Sequence, residues 1–302
     1  MKNKLPNFLI VGAAKSGTSS LHNYLNQHPQ VFMPSYNKSG MKVKEPRFLV
    51  KDLVQKRLHN GIWSFAEYKY LFSDVKNEKA IGESTVLYLY YYEQAIKNIK
   101  YYLGQEVKII IMLRNPTDRA FSAFQHVSRG LQENNSFEKS LEIESGRMDR
   151  ELTLTPMVMY KEMGMYYKMV KAYKEAFEHV HIIFYEDFRD NIELEMKDIY
   201  NFLDISNNVQ IDFTKKYNVG GKRWKNEKIK HFFLKDSLIK LVLKLVLPKK
   251  TRNVISNKFM NLFTNKVQSM KEETRKGLVD HYKQDVERLS KFLKKDLKHW
   301  IK

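Results

Sequence analysis

Four consecutive apolar residues, Phe8, Leu9, Ile10 and Val11, run into Gly12, and a second glycine, Gly17, closes the loop that follows. An unbroken apolar run of this length suits a central parallel strand covered on both faces. Leu21, Tyr24 and Leu25 then recur at helical spacing, and Pro29 limits that helix. Gly12 and Gly17 allow a tight turn and a close approach to a ligand. The N–H groups of Gly17, Thr18 and Ser19 would open the helix, where its dipole favours an anion. Lys15, Ser16, Thr18 and Ser19 add a cation and hydroxyl donors. The stretch reads as a phosphate cradle, with a ligand-free polar turn as the alternative. In the nucleoside-triphosphate loop G-x-x-x-x-G-K-[ST], lysine follows the second glycine. Here Thr18 holds that place and Lys15 lies inside the loop, which disfavours an ordinary kinase or ATPase.

A second strand-to-helix junction follows the same logic. Val107 to Leu113 reads as a buried strand and ends at Arg114. Asn115 is a good N-cap, Pro116 suits the first helical position, and Asp118 sits near the positive end of the dipole. Arg114 therefore stands at a strand's C-terminal edge, where doubly wound α/β sheets bind ligands. A kinase-type protein would want a magnesium-binding Asp there; an Arg suits a metal-free phosphate site with bidentate pairing. Asp118, Ser122, Gln125 and Arg129 share one face of the helix. Further on, Val180 to Phe184 reads as a strand that ends at Tyr185, and Gly220 and Gly221 precede Lys222 and Arg223, a composition that permits an anion nest.

These motifs, in this order, resemble the PAPS (3′-phosphoadenosine 5′-phosphosulfate)-dependent sulfotransferases, closest to the domains that modify heparan-type glycans and to their bacterial relatives. The likeness covers roughly residues 6–225. It implies that Lys15, Ser16, Gly17, Thr18 and Ser19 hold the 5′-phosphosulfate. It also implies that Arg114 and Ser122, in an R-[ND]-P-x-x-R-x-x-S pattern, hold the 3′-phosphate, and that the basic loop of Gly220, Gly221, Lys222 and Arg223 closes over it. Glu45 falls on the family's K-E-P-x-F-F-like stretch and takes the role of catalytic base. His126 falls where the glycan N-sulfotransferases place a histidine near the acceptor, and is either an aid to proton transfer or a structural residue. Tyr185 either stacks on adenine or packs in the core. Glu83 and Tyr88 match an E-K-[TS]-x-x-Y-[FL] motif, but Ser84 replaces its lysine. The cysteine-containing hairpin of the animal enzymes is absent. The resemblance calls for no metal.

The 302 residues suffice for one large α/β domain or two modest ones. There is no cysteine, so disulfides and thiolate metal sites are excluded. The net charge of +19 suits nucleotides, acidic glycans or anionic membranes, whereas the basic residues are spread without a nucleic-acid-binding module. The N-terminus has no apolar signal core, and no run approaches the roughly 18 residues of a membrane span. A cytoplasmic protein is expected, with peripheral contact at the inner membrane face as an addition. That contact would use residues 229–247, where apolar side chains alternate with lysines: either a basic interfacial helix or a packed one. Residues 131–155 read as a polar, exposed loop-helix segment. Ser269 and Glu272 form a capping box, and Leu278, His281, Tyr282, Val286, Leu289, Phe292, Leu293 and Trp300 mark one side of a last helix.

The expectation is an α/β fold, a P-loop-like parallel sheet flanked by helices. Residues 1–225 form the sulfotransferase domain, and 226–302 a helical extension packed on it. The expected activity is transfer of a sulfuryl group from PAPS to a hydroxyl or amine of a carbohydrate or glycolipid, leaving adenosine 3′,5′-bisphosphate. An ATP-dependent phosphotransferase and a non-catalytic nucleotide- or glycan-binding protein are the alternatives. The oligomeric state stays open.

Overall fold

The computed structural model describes residues 4–215, 222–226, 229–230, 262–266 and 269–302. Five strands, β1 (Phe8–Gly12), β2 (Val31–Phe32), β3 (Ala80–Ser84), β4 (Lys108–Leu113) and β5 (Val180–Phe184), form one sheet in the order β2-β3-β1-β4-β5. Every neighbouring pair in it is parallel. Parallel strands need crossovers long enough to carry helices, and those helices cover both faces. That is why β1 and β4 are apolar at successive positions rather than alternate ones.

The two faces divide the strand residues between them. Leu9, Val11, Ile109, Ile111 and Leu113 point into one core with Tyr166, Tyr173 and the final helix, Glu272–Leu293. Phe8, Ile10, Ile110 and Met112 point into the other with Leu21, Leu25, Ile199 and Leu203. Each such aliphatic burial contributes about 1.5–3 kcal/mol relative to exposure. Gly82 of β3 lies opposite Phe8 of β1, and a Cβ there would meet the Phe8 ring at 2.1 Å, so a side chain is excluded.

Three local expectations need correction. The final helix starts at Glu272 with Lys271 as its N-cap and no side-chain cap, and Ser269 lies exposed before it, so the expected capping box does not form. Along that helix Leu278, Tyr282, Val286 and Leu289 are buried, but His281 faces solvent and Phe292 is 37% exposed. Apolar spacing over six turns outlasts the strip that contacts the core. The segment 131–155 is not simply exposed: Phe137, Glu133, Glu144 and Arg147 are buried, with Arg147 Nη1 donating to Glu133 Oε2 at 2.5 Å. A buried ion pair of this kind is invisible in composition, because paired and solvated charges look alike in a list.

Lys294, at φ 52°, ends the final helix in the left-handed region. The chain then folds back and buries Leu297 and Trp300. The Trp300 ring lies 5.8 Å from Phe184 and 6.2 Å from Tyr166, between β5 and the helix Tyr166–Ala176. Two short antiparallel strands, β6 (Lys222–Trp224) and β7 (Thr264–Lys266), pair outside the main sheet. Most of the 229–247 stretch lies outside the described residues. Among the described residues, no helix is long and apolar enough to cross a membrane. Because Trp300 is almost wholly buried among aromatic neighbours, Trp300→Ala is expected to lower stability by about 3–5 kcal/mol. Urea unfolding checks this, and an unchanged midpoint would contradict a core role for the chain's last turn.

Candidate active site

The loop from Gly12 to Gly17 leaves β1 at the C-terminal edge of the sheet and enters the helix Thr18–Leu25. It is tied sideways to β4, where Ala13 N donates to Met112 O at 2.6 Å. Gly17, at φ 96°, is the N-cap residue and supplies no side-chain cap. A Cβ there would lie 3.0 Å from both Met112 Cε and the Tyr185 ring, so glycine answers a conformational and a steric demand together. Lys15 adopts φ 71°, a sparsely populated region for a side-chain-bearing residue. Ser16 is fully buried, and its hydroxyl lies beside that of Tyr166. A helix start with no side-chain cap and a cation beside it is suited to an anion.

The second junction comes to the same place because β4 is the neighbour of β1. Arg114 Nη1 donates to Lys15 O at 3.2 Å, and its guanidinium lies 4.8 Å from the centre of the Tyr185 ring. Tyr166 donates to Arg114 O at 3.0 Å, which fixes the turn from behind. Asn115 caps the helix Pro116–Val127 by accepting from Thr117 N at 3.0 Å and Asp118 N at 3.4 Å, as the sequence implies. That helix carries Ser122, half-buried and hydrogen-bonded to no other side chain among the described residues, and then His126.

A third segment brings the carboxylate. Lys44 donates to Ser19 Oγ at 2.7 Å and lies 3.5 Å from Glu45 Oε1, while Arg47 Nη2 lies 3.8 Å from Glu45 Oε2. Glu45 is thus flanked by two cations at the mouth of the first loop. The electrostatics gather these groups around Lys15. Its pKa is lowered to about 8, first by burial and then by the charges of Arg129, Arg114 and Lys44, with Glu45 pulling the other way.

His126 is held below its ordinary value, down to about 4, by partial burial and then by Lys15 and Arg129, although the side chain is exposed at the surface. Arg129 Nη2 lies 3.0 Å from His126 Nδ1. A guanidinium can only donate, so Nδ1 accepts and the ring proton sits on Nε2. His126 therefore presents a neutral N–H donor at Nε2, while Nδ1 is already engaged.

Lys15, Ser16, Gly17, Thr18, Ser19, Glu45, Arg114, His126 and Tyr185 are thus gathered at one sheet edge. Gly220 and Gly221 lie outside the described residues, and of Lys222 and Arg223 only the backbone pairing of β6 is described. Two cations at the site, Lys44 and Arg129, were not singled out as site residues in the sequence. Lys44 could have been found as the immediate neighbour of Glu45. Arg129 was visible on the helix face of Asp118 and Ser122, yet nothing local says that it reaches Lys15.

The chain belongs to the sulfotransferase family: the model of the sulfotransferase domain matches residues 5–302, beyond the point near 225 where the motifs stop. It is similar to a crystal structure of a sulfotransferase from Alicyclobacillus acidocaldarius, with a TM-score of 0.73 and 28% identity over 99% of this chain and 100% of that one. It is 30% identical over 132 residues to the membrane-associated sulfotransferase kil1 of Dictyostelium discoideum, covering 44% of this chain and 25% of that protein. It is 31% identical over 124 residues to human bifunctional heparan sulfate N-deacetylase/N-sulfotransferase 2, covering 41% of this chain and 13% of that protein. The match therefore spans a quarter or less of the length of either of these two relatives.

The charge arrangement can be tested without a ligand. Competitive acetylation of Lys15 as a function of pH should give a pKa near 8. Glu45→Gln should lower it further, by removing the favourable charge, and Arg129→Gln should raise it. A Lys15 that titrates near 10.5 in all three proteins would contradict the clustering.

Proposed function

We propose that this protein transfers a sulfuryl group from PAPS to a hydroxyl or amino group of a carbohydrate or glycolipid acceptor. The observation that carries the proposal is the meeting of Lys15, Arg114 and Glu45 at one sheet edge, on three separate segments. A doubly phosphorylated adenosine needs two anion seats, and an attacking hydroxyl or amine needs a base beside one of them to take its proton. The site fits such a donor. Gly17 opens the helix with no side-chain cap, and Lys15 sits among the charges of Arg129, Arg114 and Lys44.

In this reading the 5′-phosphosulfate rests on the loop Lys15–Ser19 and the 3′-phosphate on Arg114 and Ser122, with the basic segment 220–223 closing over it. Tyr185, already against Gly17 and Arg114, offers a face to adenine. The acceptor atom attacks sulfur as the bond from sulfur to the bridging phosphate oxygen breaks. Fixing both ends of the donor lowers the entropic part of the barrier. The departing oxygen gains the electron pair, and Lys15, with the loop N–H groups, stabilises that charge. Glu45 takes the acceptor's proton. His126, donating from Nε2, orients an oxygen of the acceptor or of the sulfuryl group. No step requires a metal.

The acceptor class rests on the relatives' names, which specify heparan sulfate N-sulfotransferases, and on the net charge of +19, which favours an acidic polymer. A cytoplasmic location, peripheral at the membrane through residues 229–247, belongs to the same proposal.

Transfer of label from radioactive PAPS to N-deacetylated heparosan, with titration calorimetry of adenosine 3′,5′-bisphosphate, tests the assignments. Lys15→Ala and Glu45→Gln should fold normally by circular dichroism and lose turnover by about a hundredfold or more. Arg114→Ala should weaken bisphosphate binding by at least about tenfold. Unchanged affinity in Arg114→Ala would remove the second anion seat from the account.

A further inference from the structure

We infer that Glu83 is a positioning residue that sets the place of Glu45, by fixing the direction of two buried hydroxyls on which the Glu45 segment hangs. The inference rests on the reading of Glu45 as the base. Glu83 lies on β3, with no exposure to solvent, and touches none of the site cations. Three hydroxyls converge on its carboxylate. Tyr68 and Tyr88 donate to Oε1 at 3.0 and 2.7 Å, and Thr85 donates to Oε2 at 2.8 Å.

A hydroxyl has one proton and two lone pairs. Since Thr85 and Tyr88 commit their protons to Glu83, each turns lone pairs elsewhere, and both are used by the same neighbouring segment. Arg47 N donates to Thr85 Oγ1 at 3.2 Å, and Leu49 N donates to Tyr88 Oη at 3.3 Å. Tyr68 adds a stacked contact, its ring centre 4.6 Å from that of Phe48. The three residues Arg47, Phe48 and Leu49 are therefore all held by groups that Glu83 orders. Arg47 is at φ 60°, so the chain reverses there, and its guanidinium reaches back to Glu45 Oε2 at 3.8 Å. The route from Glu83 to Glu45 is thus two hydroxyls, two backbone N–H groups and one turn.

The polarity of the route depends on the carboxylate. A group that donates at the Glu83 position would compete with the O–H donors that face it and turn a hydroxyl proton away, toward the side from which Arg47 N or Leu49 N donates. A buried unpaired N–H is costly, so the segment would shift instead. Burial is the largest effect on the Glu83 carboxyl; with the three hydroxyl bonds pulling against it and the charge of Glu45 adding to it, the carboxyl is pushed up to about 7.

The test has two arms. Hydrogen exchange read by mass spectrometry over residues 43–50, on the full chain, compares wild type with Glu83→Gln, which keeps the shape and loses the second acceptor oxygen. Exchange in 43–50 is expected to speed up by about tenfold or more while the loop 12–18 stays as protected as before. Should Glu83→Gln not fold, Tyr88→Phe removes the acceptor of Leu49 N together with one of the three donors to Glu83, and the same local loss of protection is expected. The second arm measures kcat for transfer from labelled PAPS to N-deacetylated heparosan in Glu83→Gln, Glu45→Gln and the double variant. If Glu83 acts through Glu45, the single Glu83 change lowers kcat by about tenfold or more without changing bisphosphate affinity, and adds nothing in the Glu45→Gln background. Unchanged exchange over 43–50, or a kcat loss that multiplies in the double variant, overturns the inference. Full turnover in Glu45→Gln alone would instead sink the base assignment, and the exchange arm would still decide whether Glu83 holds the segment.

Discussion

The site depends on β1 and β4 lying side by side in parallel. Their register, Ile10 opposite Ile110 and Gly12 opposite Ile111, places the ends of both strands at one edge. Two cross-ties then lock the loops that follow, Ala13 N to Met112 O and Arg114 to Lys15 O. Without the parallel pairing, the loop containing Lys15 and the turn at Arg114 would be separated by most of the length of a strand. The apolar runs of both strands serve function as well as stability, because only a sheet buried on both faces holds two turns in fixed relation. Trp300, Tyr166 and the final helix brace that arrangement from one side, and the helix Ile192–Phe202 from the other.

The same proximity has an electrostatic cost. Lys15, Lys44, Arg114 and Arg129 repel one another, and among the described residues Glu45 is the carboxylate that acts against them on Lys15. Burial first, and this repulsion second, make Lys15 give up its proton more readily than a lysine in water. An anion relieves the repulsion, so the binding of a phosphorylated donor and the protonation of Lys15 reinforce each other. His126 follows the opposite course: beside two cations it stays neutral, and Arg129 directs its remaining proton outward from Nε2.

How much of this could be read from the sequence follows the distance over which each feature is built. The cradle at Gly12–Ser19 and the capped turn at Arg114–Asp118 are local, and both appear where the residues indicate, with Asn115 bonding the N–H groups expected of it. The fold class follows from unbroken apolar runs alternating with helical periodicity. By contrast, Lys44 bonds Ser19 across 25 positions and Tyr68 bonds Glu83 across 15, and no pattern within a window reports such pairings. Glu83 was legible as part of a motif, but not as the centre of a hydroxyl cluster. The expected cap at Ser269 failed because a two-ended motif was present while the backbone entered the helix two residues late, at Lys271. Burial of Glu133 with Arg147 was missed because neither residue betrays its partner.

The central claim is that two strand-tip pockets grip opposite ends of one nucleotide. A crystal structure of the protein with adenosine 3′,5′-bisphosphate tests it most directly. The account predicts the 5′-phosphate on the N–H groups of the Lys15–Ser19 loop and the 3′-phosphate on Arg114, with Tyr185 against the base. A nucleotide bound with its 3′-phosphate away from Arg114, or with its 5′-phosphate off the loop, would contradict it.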